Sequence, residues 1–328
     1  MVAVLGVELA RGAPTLTGAV VALGGARPWW IAAAVLAQVA SMDMFARLRR
    51  RLLATAGVAV RMRDALAGVY VAGAVHLTVP GGAAVSAAYA YRWMRDGGAG
   101  VAAVTWTLAA GGVISTAALG ALAVAGSLLA GATSNMVTLA LDAVVVLALV
   151  VGVRWLRRRP DLTLVVGLRL LTWRNMLLRR PPARGKDALG RVVAQLRSVR
   201  PGARDWTAAV AYGVGNWLFD IACLAASAAA VGTRGVTLPL LVIAYTAGMA
   251  ASGISVLPGG IGVVDTAMVL ALVAGGIPAA TALPAVLLYR LVSLGGVAAA
   301  GWLVAAVHAC RARARAAGQR SPGATSAV

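Results

Sequence analysis

Apolar residues run along this chain in long blocks, separated by arginine clusters and by two Pro-Gly-Gly triplets. The first block covers residues 29–45, opens on Trp29 and Trp30, and stops at Arg47, Arg49, Arg50 and Arg51. Tryptophan at one end and arginine at the other is the pattern of a membrane-crossing helix. Further blocks at 101–130, 136–156, 206–231 and 279–307 are each long enough to cross a bilayer core, for which about 20 apolar residues suffice.

Two blocks behave differently. Residues 64–95 are interrupted by Pro80-Gly81-Gly82, and each half is too short to span a core of about 30 Å. Both ends are basic, so this segment is predicted to enter and leave on one face. Residues 236–276 are interrupted by Pro258-Gly259-Gly260; span parity makes this second hairpin begin and end on the opposite face. Its first arm, 236–256, is long enough to cross, so a deep hairpin and two true spans are both compatible with it. Irregular backbone at membrane depth is tolerated only where protein or a water-filled cavity covers it. Inverted repeats with broken helices near the midplane are a common way to build a transport site. The expected fold is therefore an all-α, polytopic membrane bundle. It should have about six to eight membrane helices and two Pro-Gly-Gly hairpins, re-entrant or spanning, in inverted orientation.

Composition supports this. The chain is 61% hydrophobic and 12% charged, where a soluble domain carries about a quarter charged residues. The net charge of +20 comes almost wholly from arginine, since Lys186 is the only lysine. The bases cluster at 47–63, 154–204 and 311–320, the distribution of cytoplasmic loops held against anionic lipid. Nucleic acid is not an expected partner. Arginine in place of lysine, with abundant Ala, Val and Gly, suggests a GC-rich bacterial genome. The expected location is a bacterial inner membrane, with the 157–206 loop and the C-terminus cytoplasmic.

Residues 1–28 form a moderately apolar lead-in, 29–308 a single membrane domain, and 309–328 a basic tail expected to be disordered. Within the 157–206 loop, Leu189, Val192, Val193, Leu196 and Val199 recur at helical spacing with Arg191, Arg197 and Arg200 between them. That pattern predicts a basic amphipathic helix on the inner leaflet.

Four charges fall deep inside spans: Asp142, Asp220, Asp265 and Arg290. A charge near the bilayer centre costs about 3 kcal/mol or more and marks either a paired structural site or function. In the first case the residues form a buried ion pair that fixes packing. In the second, Arg290 meets an anionic group such as a phosphate, and an Asp positions it or carries a proton. Asp43 with Arg47, and Arg92 with Asp96, are predicted local i,i+4 pairs. His76 precedes the first triplet and is expected to be a satisfied helix histidine; His308 lies at a span end. Cys223 and Cys310 have no metal-ligand spacing. There is no nucleophile elbow, metal cluster or Walker loop, so neither a cofactor nor catalysis is expected.

The stretch Ile254-Ser-Val-Leu-Pro-Gly-Gly-Ile-Gly-Val-Val-Asp265, followed by Leu288-Tyr289-Arg290-Leu-Val-Ser293, resembles the C-terminal signature of the lysylphosphatidylglycerol synthase transmembrane, flippase-like family. Val79-Pro-Gly-Gly-Ala-Ala-Val-Ser86 is similar to the family's N-terminal signature. The resemblance covers roughly residues 27–308 and begins past the family's usual first membrane helix. It implies an integral domain that moves aminoacylated phospholipid; the lipid-making activity of bifunctional members belongs to a separate soluble domain and is not expected here. The family usually has Glu at the place of Asp265, and its first motif an acid and then Arg where this chain has Ala84 and Val85.

On this basis the substrate site is expected to comprise Arg290, Asp265, Tyr289, Pro258, Gly259, Gly260, Pro80, Gly81 and Gly82, supported by Asp142 and Asp220. The expected partners are membrane lipids, an anionic phospholipid or a lipid-linked substrate, and an envelope-biosynthesis enzyme. The alternative is a non-transporting scaffold for an envelope synthase or glycosyltransferase.

Overall fold

A computed structural model describes residues 24–79, 81–131, 190, 192–196, 199–253 and 258–320. The described chain is helical, with no strand. The expected 136–156 span, Asp142, Pro80, most of the 157–206 loop and most of the lead-in lie outside the described residues.

Among the described residues, the first half holds α1 (Pro28–Thr55), α2 (Met62–Thr78), α3 (Gly82–Asp96) and α4 (Val101–Leu129). The second half begins with α5 (Ala203–Ala230), then α6 (Leu238–Ser252), a tight turn at Pro258–Gly260, and α7 (Val263–Ala274). It closes with α8 (Ala279–Arg290), a π-helical segment (Leu291–Gly296) and α9 (Val297–Arg320). Among the described residues, four helices are long and apolar enough to cross a membrane: Pro28–Thr55, Val101–Leu129, Ala203–Ala230 and Ala279–Arg311. Large apolar side chains such as Trp29, Leu36, Leu129, Leu270 and Leu303 face outward, as lipid-facing positions do. The protein is a polytopic helical membrane protein.

Three differences from the sequence expectation follow from local chemistry. α1 does not stop at its arginines but continues to Thr55, because long basic side chains can reach the interface from within a helix. The described arms of the second hairpin are short: α6 has 15 residues and α7 has 12, about 22 and 18 Å, less than the core thickness, as in α2–α3. Finally, α9 is helical to Arg320, beyond the expected span end at 307.

The two halves pack as a pseudo-twofold pair. α1 and α5 have 28 residues each and cross antiparallel. The backbone N–H of Arg27 donates to Ala230 at one end, 3.0 Å, and Arg51 pairs with Asp205 at the other, 2.8 Å. Ser41 and Asn216, each at its helix midpoint, bond to each other between them. Around this axis, α9 packs on α2 as α4 packs on α6. The glycines repeat the symmetry. A Cβ on Gly301 of α9 would lie 2.2 Å from the Tyr70 carbonyl oxygen of α2, and one on Gly126 of α4 would lie 2.7 Å from Val242 of α6. Within the hairpins, Gly68 sits under Trp93 and Gly248 under Met268. Small residues at crossings let membrane helices approach closely, where dispersion and not the hydrophobic effect holds them.

Candidate functional site

The hairpin tips meet near the middle of the bundle. α2 packs against the Pro258–Gly260 turn, and the side chains of Leu77 and Leu294 lie beside Gly259. Each tip turns through a left-handed residue, Gly81 with φ 68° and Gly259 with φ 64°, a conformation that costs a side-chain-bearing residue about 1–2 kcal/mol. Gly82 is required for a different reason. The chain doubles back so tightly that a Cβ there would stand 2.1 Å from the carbonyl oxygen of His76.

Between the tips lies a cavity of about 580 Å³. Gly81, Gly82, Gly259 and Gly260 line it together with Tyr289 and Arg290 of α8 and Asp220 of α5. Its walls also carry Gln38 of α1, His76 of α2 and Ser293 of the π-helical segment. The sequence-expected residues thus converge, apart from Asp265, which does not line the cavity, and Pro80 and Asp142, which lie outside the described residues; Pro258 opens the turn of the second tip.

Asp265 holds two things at once. Its Oδ2 accepts from the Gly262 N–H at 2.8 Å, capping α7. Its Oδ1 pairs with Arg290 Nε at 2.7 Å. Arg290 in turn donates from Nη2 to the carbonyl of Gly259. One guanidinium therefore ties α8 to the second tip and to the start of α7. With 9% of its side chain exposed, Arg290 is well shielded from solvent, where charge-assisted bonds are strong.

Asp220 has a separate set of partners. Tyr245 of α6 donates its hydroxyl to Asp220 Oδ2 at 2.6 Å. The rings of Trp217, Tyr245 and Tyr289 follow one another edge-to-face, with centroids 5.9 and 6.3 Å apart. Gln38 and Tyr289 stand beside the carboxylate. Even so, Asp220 Oδ1, Gln38 Oε1 and Ser293 Oγ are buried without a hydrogen bond among the described residues.

Sequence reasoning missed Gln38, Tyr245 and Ser293. A buried Gln or Tyr in an apolar run carries no motif. Ser293 reaches the wall because the helix is wound as π over Leu291–Gly296, and π segments concentrate at functional sites; the Gly295-Gly296 pair was the available hint. Among the local pairs, Asp43–Arg47 forms at 2.5 Å, whereas no ion pair joins Arg92 to Asp96; Arg95 instead donates to the Ala99 carbonyl. His76, expected as a satisfied helix histidine, is exposed and lines the cavity. His308 lines a different, 690 Å³ cavity beside Asp64, Tyr89 and Trp93.

Residues 16–301 match the family described as the lysylphosphatidylglycerol synthase TM region. The chain belongs to that family. The match takes in both hairpins, α1, α4 and α5, and the whole cavity wall. No curated protein matches the chain. As a lysylphosphatidylglycerol synthase TM-region protein, it is an integral membrane protein of lipid-related processes. Its Pro258-Gly259-Gly260 triplet and Arg290 are the parts of the family-like signature that the fold draws into one site.

Proposed function

We propose that this protein moves an anionic phospholipid or a lipid-linked substrate between the leaflets of a bacterial inner membrane, and that it has no synthase chemistry of its own. The single observation that supports this most is the convergence of two oppositely inserted glycine tips and the deep charges on one cavity. Its 580 Å³ falls within the range of small-molecule sites, about 300–1,000 Å³. That is room for a headgroup, with acyl chains left in the bilayer. In this reading Arg290 offers its remaining guanidinium nitrogen, Nη1, to a phosphate oxygen, while Asp265 and Gly259 hold the fork in position. The arginine-rich ends of α1 and α9 face the cytoplasm, by the positive-inside rule.

Translocation of fluorescent and aminoacylated phospholipids in proteoliposomes tests this. Lipid should cross faster with protein than without, and Ala84→Trp, placed on the cavity wall, should slow it while leaving the protein monodisperse. A folded protein that moves no lipid would overturn the reading. Co-purification of an envelope synthase or glycosyltransferase in that case would favour a scaffold instead.

A further inference from the structure

Among the described residues, the charges around the cavity do not balance. Asp265 and Arg290 pair directly, which leaves Asp220 as the unmatched charge on the cavity wall among the described residues. Two carboxylates thus share one guanidinium, and this cluster is one positive charge short. The groups facing Asp220 are Gln38 from α1, Cys223 from its own helix, Tyr245 from α6, and Tyr289 and Arg290 from α8. Ser293 and, across the cavity, His76 complete the wall.

The unsatisfied atoms share one chemistry. Asp220 Oδ1, Gln38 Oε1 and Ser293 Oγ are oxygens with free lone pairs, all buried and all on residues of the one cavity. Buried oxygens left unpaired are costly, and oxygen donors suit hard cations. Ionisable residues inside the membrane mark ion and proton pathways.

We propose that Asp220 is the binding site for a small monovalent cation, H⁺ or Na⁺, with Gln38 and Ser293 as its neutral oxygen partners. This rests on the transport reading above and supplies its coupling. With the site empty, an anionic headgroup meets a cluster of net negative charge. With the cation bound, the cluster is neutral and Arg290 can attract the headgroup. Each ligand then raises the affinity for the other, as linkage requires.

The test uses the full chain. In detergent, thermal stability is followed against NaCl, with choline chloride holding ionic strength constant, at several pH values. A saturable rise with Na⁺ identifies Na⁺. A rise on acidification that is independent of Na⁺ identifies H⁺. Either response should vanish in Asp220→Asn, which keeps the shape and the acceptor for Tyr245 but removes the charge, and should survive in His76→Gln. In proteoliposomes, lipid movement should depend on the corresponding ion gradient in the wild type and lose that dependence in Asp220→Asn. No response to either ion, or a response that Asp220→Asn retains, overturns the proposal even where lipid moves. A cation response without lipid movement would leave the site standing and sink the transport reading instead.

Discussion

Ser41 and Asn216 hydrogen-bond to each other from the midpoints of two antiparallel 28-residue helices. Ser41 Oγ donates to the Asn216 carbonyl at 3.0 Å, and Asn216 Nδ2 donates to Ser41 Oγ and to its carbonyl at 2.7 and 3.1 Å. The pair marks the pseudo-twofold axis: each half's first helix meets its counterpart there, and each hairpin extends from its own half toward the shared centre. Both residues are buried, so water cannot substitute for either partner.

Asn216→Ala removes both side-chain donations and leaves the Ser41 hydroxyl on the backbone. Interhelical side-chain hydrogen bonds in membranes are worth about 0.6 kcal/mol on average and up to about 1.7. A loss of about 1 kcal/mol is expected, read as a lower melting temperature in detergent, and Ser41→Ala on top should add less than it costs alone, because only the hydroxyl's bond to the backbone carbonyl of residue 216 is then left to lose. Full additivity of the two substitutions would show that the pair does not act as a unit.

The glycine crossings give a sharper contrast. Gly301→Val puts a branched side chain where even a Cβ would be 2.2 Å from the Tyr70 carbonyl oxygen, so α9 must leave α2. The variant should fail to give a monodisperse protein in size-exclusion chromatography. Gly112 lies in α4 with nothing near its Cβ position. Gly112→Ala should therefore be tolerated and gain about 0.5–1 kcal/mol of helix stability. Equal behaviour of the two would contradict the close approach of α9 and α2.

Arg290→Met leaves Asp265 charged and unpaired against the second tip. Removing one partner of a buried pair costs about 3–5 kcal/mol. Asp265→Asn should cost less, because an amide oxygen still accepts from Gly262. The double variant should cost less than the two singles together, since neither partner of this pair is then left as an orphan charge. A double-mutant cycle in thermal or denaturant unfolding measures this, and a coupling energy near zero would mean that the 2.7 Å pair contributes nothing to the tip.

These residues also show what could be read before the fold was known. Pro-Gly-Gly is visible because proline and glycine interrupt an apolar run, and Arg290, Asp265 and Asp220 are visible because charge is rare there. The short length of α6 was not, because 236–256 is apolar throughout and nothing in that run marks the end of the helix at Ser252. Gln38 and Tyr245 were hidden for a different reason. Each is ordinary in its own helix and becomes significant only when α1, α5 and α6 converge on one carboxylate. The pairing of Arg290 with Asp265 was open at the sequence level, where structural and phosphate-binding roles stood as alternatives. The structure shows the ion pair, made by a guanidinium that also lines the cavity.

The short hairpin arms make a prediction about sidedness. The ends of α2–α3, at Gly57 and Gly98, and the ends of α6–α7, at Gly235 and Gly276, all lie in turns with positive φ. None has a crowded Cβ position: the nearest atom to any of them is Ile277 Cδ1, 3.8 Å from that of Gly235. Single cysteines there, in a background with Cys223 replaced by Ala and Cys310 by Ser, can be probed with a membrane-impermeant maleimide in oriented vesicles. Gly57→Cys and Gly98→Cys should label from one face, and Gly235→Cys and Gly276→Cys from the other. The strain of a positive φ in a non-glycine residue is about 1–2 kcal/mol, tolerable at an exposed turn. If either hairpin's two ends label from opposite faces, that hairpin crosses the membrane. Its Pro-Gly-Gly would then be a mid-span kink and not a tip, and the central cavity would lose one of its two walls.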